Sequence, residues 1–222
     1  MEIVLSRRYR GPLDSANGGY ACGRLAALVD AGDVEVTLRL PPPLDRPLVV
    51  ERADGRVLLL DGGALVAEAR AAPVDVDPPA AVALVDAEAA RERHVRDWSP
   101  DFAECYVCGV RDDGLEIRAG VVAGREPLHA APVTLIESDP EFVWAAIDCP
   151  GAYAVGAEGR GDIVLGRMTA RVDRLPREGE PCVVVGWPLG EDGRKLFAGT
   201  ALHGEAGDVL AVARQVWIVQ RV

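Results

Sequence analysis

Three short runs decide how this chain folds: Val36-Thr-Leu-Arg-Leu40, Pro47-Leu-Val-Val50 and Ala53-Asp-Gly-Arg56. Each returns later, as Met168-Thr-Ala-Arg-Val172, Pro181-Cys-Val-Val184 and Glu191-Asp-Gly-Arg194. Thr37 and Thr169 are 132 residues apart and Pro47 and Pro181 are 134 apart, so the spacing is kept along with the residue types. Val34, Val36, Leu38 and Leu40 alternate with polar partners, as in a half-buried strand. Leu48 to Arg52, Arg56 to Leu60 and Ala64 to Ala71 continue as a meander, turning at Ala53-Asp-Gly55 and Asp61-Gly-Gly63. Ile163 to Val172, Cys182 to Trp187, Lys195 to His203 and Val209 to Val219 read the same way in the second half. A duplicated unit accounts for this.

A helix precedes each meander. Asp14, Ser15 or Asn17 can cap one running through Gly19 to about Ala31, and Asp139 before Pro140 starts another that must kink or stop near Pro150-Gly151. Gly19 to Val29 carries only Arg24, and Phe142 to Cys149 carries only Asp148. A helix apolar nearly all round is buried on every side, here by a curved sheet wrapped about it. The expected class is α+β: two antiparallel curved sheets in tandem, each wrapping a central helix. The first unit takes residues 1–72 and the second 105–222, whose first strands surround Leu115 to Val121. Between them, 73–104 opens with Pro73, Pro78 and Pro79 and holds a short exposed helix, Asp86 to Asp97, so it reads as a connector.

At 222 residues and a formal charge of −11, the chain lacks the positive surface a nucleic-acid binder exchanges for counterions. Arg91 to Arg96 is interleaved with Glu92 and followed by Asp97, so it is a solvated helix face. No apolar run reaches the roughly 20 residues that cross a membrane. Arg7, Arg8 and Arg10 are followed by no apolar leader segment, so the cytoplasm is the expected compartment. The five cysteines follow no framework spacing and are expected as reduced thiols.

Short motifs then resemble known proteins. Cys105-Tyr-Val-Cys-Gly109 with Gly114-Leu-Glu-Ile117 resembles the opening of hotdog units in the phenylacetate-thioesterase-like group. Asn17-Gly-Gly-Tyr20 with Ala26-Ala27 resembles the helix start of double-hotdog acyl-CoA thioesterase II type proteins. In that group an Asp from the second unit's helix, a Ser or Thr from the next strand and a Gln from the last strand hold the hydrolytic water. The resemblance implies Asp148, Thr169 and Gln215 for these roles, although the residues flanking Thr169 depart from the family's pattern. The carboxylate that single-hotdog relatives carry about two turns after Gly-Gly is Ala26 here, which implies one site per chain.

Read on their own, these residues keep alternatives open. A buried Asp148 would be raised toward neutrality and suit a general base, or it could bond backbone N–H groups freed by the kink. Asn17, Gly18 and Gly19 place helix N-terminal amides where a thioester carbonyl could be polarised, or they form an ordinary cap. Gln215 could orient water or face solvent at a strand end. Cys105 and Cys108 resemble half a zinc knuckle, but Cys149, Cys182 and the three histidines offer no second pair at ligand spacing, so no metal is expected. Cys149 has no nearby histidine to activate it, no Gly-x-Ser-x-Gly is present, and no histidine is placed for a hydratase. The expected function is hydrolysis of an acyl-CoA or acyl-carrier thioester without a cofactor. The alternative is a non-catalytic acyl-CoA or lipid-binding protein. Uncovered strand edges imply a homo-oligomer.

Overall fold

The computed structural model describes residues 1–95, 100–137, 139–156 and 162–220. The first half runs β1 (Glu2–Val4), α1 (Gly18–Ala26), β2 (Asp33–Leu38), β3 (Pro47–Ala53), β4 (Arg56–Asp61) and β5 (Ala64–Ala71). The middle of the chain adds α2 (Leu84–Arg91) and β6 (Gly120–Val121). The second half runs β7 (His129–Val133), α3 (Pro140–Ala146), α4 (Cys149–Ala154), β8 (Ile163–Val172), β9 (Cys182–Asp192), β10 (Lys195–His203) and β11 (Val209–Val219).

The strands do not form two sheets as expected. Among the described residues they make one sheet of 11, in the order β1-β3-β4-β5-β2-β8-β11-β10-β9-β7-β6. The joint is an antiparallel pairing of β2 with β8. Left apart, each would expose a row of unpaired backbone groups, and joining them removes both edges. Outward from the joint the order is β2-β5-β4-β3-β1 on one side and β8-β11-β10-β9-β7 on the other. Every strand of the first half therefore has a counterpart, in chain order, in the second. At the joint Val36 lies opposite Met168, with Glu35 opposite Thr169 and Thr37 opposite Arg167. Val36 and Met168 are also 132 residues apart. The repeat read from the sequence thus brings its own equivalents face to face, as a local two-fold axis through that pair requires.

Helices α1 and α3 lie against each other on one face of the sheet, in a core that includes Leu25, Val36, Val143, Ile147, Met168 and Leu210. Small residues let them approach: a Cβ on Gly23 would lie 2.6 Å from the Cα of Glu141. The first helix is shorter than expected, ending at Ala26 rather than near Ala31. The second breaks where expected, between Ala146 and Cys149.

The connector is not the exposed spacer its composition suggests. Ala87 and Ala90 of α2 are fully buried, in a second core with Ala130, Val183, Val185 and Ala201 on the sheet's other face. Cys182 and Val184 face the helices while Val183 and Val185 face away. A strand apolar on both faces needs cover on both, and α2 supplies the second. Arg96 and Asp97, the expected end of that helix, lie outside the described residues. The second unit's first strands are also displaced. Only Gly120–Val121 forms a strand in the expected region, and the counterpart of β1 is β7. No helix among the described residues is long and apolar enough to cross a membrane.

Gly120 sits beneath α2, where a Cβ would collide with the backbone carbonyl of Ala90. Gly120→Ala is expected to lower stability by about 1–3 kcal/mol by displacing α2, measured by urea denaturation. Unchanged stability would mean that α2 is not packed against the sheet in solution.

Candidate functional site

The site grows from the break in the second helix. Pro150 has no N–H, and its ring would collide with the Ala146 carbonyl in a continuous helix. The chain therefore stops at Ala146 and restarts at Cys149, with Asp148 between them at the start of α4. The break frees carbonyls that must be bonded in a dry core. Two sheet residues do this. Thr200 Oγ1 donates to Ile147 O at 2.7 Å, and Gln215 Nε2 donates to Ile147 O at 2.7 Å and to Asp148 O at 3.1 Å. Gln215 Oε1 accepts from Trp217 Nε1 at 2.8 Å, so both ends of its amide are engaged. Thr200 and Gln215 are each 0% exposed.

Asp148 is 2% exposed, and one of its carboxylate oxygens is held from the other helix. Asn17 caps α1 by accepting from the Tyr20 amide through Oδ1 at 2.9 Å, while its Nδ2 donates to Asp148 Oδ2 at 2.8 Å. The Gly19 amide donates to the same oxygen at 2.9 Å. Gly19 has to be glycine here, since a Cβ would lie 2.5 Å from the Trp144 carbonyl and 2.6 Å from Asp148 Cβ. The second oxygen, Asp148 Oδ1, has no hydrogen-bond partner among the described residues. Burial pushes this carboxyl up to about 7, and charge on Cys105 adds to the rise, against the lowering by the Gly19 and Asn17 bonds.

A cavity of about 610 Å³, within the range of ligand sites, is lined in part by Asp148. Asn17, Gly18, Leu165 and Trp217 line it beside the carboxylate, and Asp14, Asp101 and Asp162 line it with Arg39 as the one cation among its described lining residues. Among the described residues no histidine lines it.

Of the residues singled out in the sequence, Asp148, Gln215, Asn17 and Gly19 meet at this break, and Gly18 lines the cavity beside them. Thr169 does not reach it. Met168 and Ala170 on either side of it point into the helix-side core, so strand alternation turns Thr169 to the opposite face. The hydroxyl at the break belongs to Thr200, which the sequence reading passed over. Its one signal was position: a threonine inside the apolar run Leu196 to Leu202, where a buried hydroxyl must find a partner. Gly19 was expected to hold a substrate carbonyl, but its amide is committed to Asp148.

No protein-family model matches the sequence, and no curated protein matches it significantly. Solved structures do. A thioesterase candidate from Novosphingobium aromaticivorans superposes with a TM-score of 0.69 at 13% identity, over 99% of this chain and 95% of that one. A hot dog fold protein of unknown function from Alicyclobacillus acidocaldarius gives 0.67 at 12% identity, over 100% and 93%. The acyl-CoA thioesterase II TesB2 of Mycobacterium marinum gives 0.56 at 11% identity, over 86% and 80%. At such identities the likeness establishes the fold, which is a hotdog fold spanning the whole chain.

The raised Asp148 carboxyl ties stability to pH. Below about pH 4 the group is neutral in both folded and unfolded chains. Between there and about pH 7 the unfolded chain releases its proton while the folded protein keeps it. Stability therefore falls as pH rises, by up to about 1.4 kcal/mol per pH unit, and the loss is complete above the folded value. Asp148→Asn removes this dependence, so the variant should gain on the wild type between pH 5 and pH 8 in urea unfolding. A constant difference between the two proteins would show a carboxyl that titrates normally.

Proposed function

We propose that the chain is two hotdog units fused in tandem, residues 1–72 and 105–222 with 73–104 between them, and that it hydrolyses an acyl-CoA-type thioester. One observation carries the reaction. Asp148 is anchored through Oδ2 by Asn17 and Gly19 while the buried Oδ1 is unpaired, and the residue lines a cavity large enough for an acyl chain. In this reading water enters between Oδ1 and the thioester. Asp148 takes a proton from it as the water oxygen bonds to the carbonyl carbon. The carbon–sulfur bond then breaks, and the departing thiolate recovers the proton from Asp148. The Gly18 amide, which needs no partner inside the helix, is available to the carbonyl oxygen as charge develops there.

Gln215 and Thr200 are positioning residues in this scheme. They hold the Ile147 carbonyl, and with it the backbone that aims Asp148. The neighbours named as thioesterases support the reading at the level of fold, which by itself carries little functional weight. The repeat across β2 and β8 supports the tandem arrangement. We further propose a homo-oligomer, since Val4 and Val49 leave an apolar patch at the β1 end of the sheet. Light scattering that reports a monomer would remove that proposal.

The test is thiol release from a panel of acyl thioesters. Each acyl group is offered on CoA and on N-acetylcysteamine, which carries no phosphate, because the cavity lining is rich in aspartate. Wild-type turnover is expected to fall by about 10²–10⁴-fold in Asp148→Asn, while Thr169→Val, altered on the far face, keeps it. Turnover that survives in Asp148→Asn would move the chemistry elsewhere. A wild type that binds acyl-CoA but turns over nothing would make the protein a binder.

A further inference from the structure

The Cys105-Tyr-Val-Cys108-Gly109 turn is bound on both sides. Tyr106 N donates to Arg10 O at 2.8 Å, and Leu115 N and Ile117 N donate to Tyr106 O and Val107 O. Gly109 closes the turn through its amide to Cys105 O at 2.9 Å, and a Cβ there would lie 2.5 Å from the Cys105 nitrogen. In sequence the pair Cys105 and Cys108 lacks further ligands. In the fold a third sulfur joins it, because the helix break puts Cys149 at the first position of α4. Cys105 Sγ and Cys149 Sγ are 3.9 Å apart, and the sulfurs of Cys105, Cys108 and Cys149 all lie within 4.8 Å of one another. All three are buried.

An ion with metal–sulfur bonds of about 2.3 Å spaces its sulfurs about 3.8 Å apart in a tetrahedron and about 4.0 Å in a trigonal plane. The 3.9 Å separation needs no rearrangement to meet either. A donor suited to sulfur carrying negative charge is also in place. Asn17 Nδ2 lies 3.9 Å from Cys105 Sγ and 4.0 Å from Cys149 Sγ. We propose that Cys105, Cys108 and Cys149 form a three-thiolate site for a thiophilic metal ion, zinc(II) or copper(I).

Binding would replace the protons still held by the thiols with one ion and release them to solvent. Among the described residues no fourth Cys, His, Asp or Glu joins the group. Copper(I) can be satisfied by three soft thiolates. Zinc(II) would add a small ligand such as water as its fourth. The site shares Asn17 with the anchoring of Asp148, but its test reads bound metal and not turnover.

The test is anaerobic titration of the reduced full chain with zinc(II) and, separately, with copper(I), each against a chromophoric chelator, followed by X-ray absorption of the complexes. One ion per chain is expected, with three sulfurs at about 2.3 Å in the zinc complex. Cys105→Ser and Cys149→Ser should weaken binding by about 100-fold or more, whereas Cys182→Ser, buried elsewhere, should not. The absorption measurement uses the wild type, so it stands even if a serine variant fails to fold. The proposal is overturned if neither ion binds stoichiometrically, if two or fewer sulfurs are seen, or if Cys105→Ser binds normally. It is also overturned if the protein as purified holds no ion and has two of these cysteines joined as a disulfide.

Discussion

A carboxylate is held out of water at the point where a helix cannot continue, and the centre of the molecule is arranged around that fact. Pro150 forces the break, and the break strands backbone carbonyls in the core. A buried carbonyl without a partner costs about as much as the hydrogen bond it lacks. The strands behind the helix must therefore present donors there, and Thr200 and Gln215 do. Asp148 sets a second demand. Its buried oxygen needs donors from the other helix, so α1 must approach closely enough for the Gly19 amide and the Asn17 side chain to reach it. The small residues of α1 serve this approach as much as they serve helix packing.

The joint between β2 and β8 meets a different constraint. Two sheets that each wrap a helix have free edges, and fusing them at the strands that follow the two helices closes those edges while setting α1 beside α3. The register places Val36 against Met168, so the two halves are related across one residue pair. Slipping by one residue would turn every inward side chain of β8 outward, taking Met168 and Ala170 out of the core and sending Thr169 in. Charged residues stabilise the same register from the other face, where Arg167 reaches Thr37 Oγ1 and Glu35, and Arg70 pairs with Glu35.

What was legible in the sequence follows from where the physics leaves a periodic trace. The strands from Asp33 to Ala71 and from Ile163 to Val219 alternate and are punctuated by Asp-Gly turns, so their positions come through closely, except that β9 runs on to Asp192, five residues past the expected end at Trp187. Strand β7 leaves no such trace, because His129-Ala-Ala-Pro-Val133 is short, contains proline and has no alternation. Helix α2 was read as a solvated spacer because its charged residues outnumber the two alanines that pack. Asp148 was visible as the one charge on an apolar helix. Thr200 showed only as a hydroxyl within an apolar run, since its partner is a carbonyl freed by a proline 50 residues earlier, a relation that no local pattern carries. The meeting of Cys149 with Cys105 and Cys108 has the same long-range origin.

The near-symmetry of the two halves sharpens the meaning of the single carboxylate. About two turns into α1 the chain carries Ala26, which is buried and asks nothing of its surroundings. Near the start of α3, Arg24 and Glu141 form an ion pair that remains partly open to water, and such a pair contributes little either way. One helix joint is therefore electrically quiet, while the other holds a carboxyl whose second oxygen has no partner. An unpaired carboxylate in a dry core opposes folding whenever it is ionised. Its presence on one helix only, in a residue that lines the cavity, is what the proposed reaction would require of the proposed tandem arrangement: one unit to carry the charge, and the other to supply the helix start that holds it.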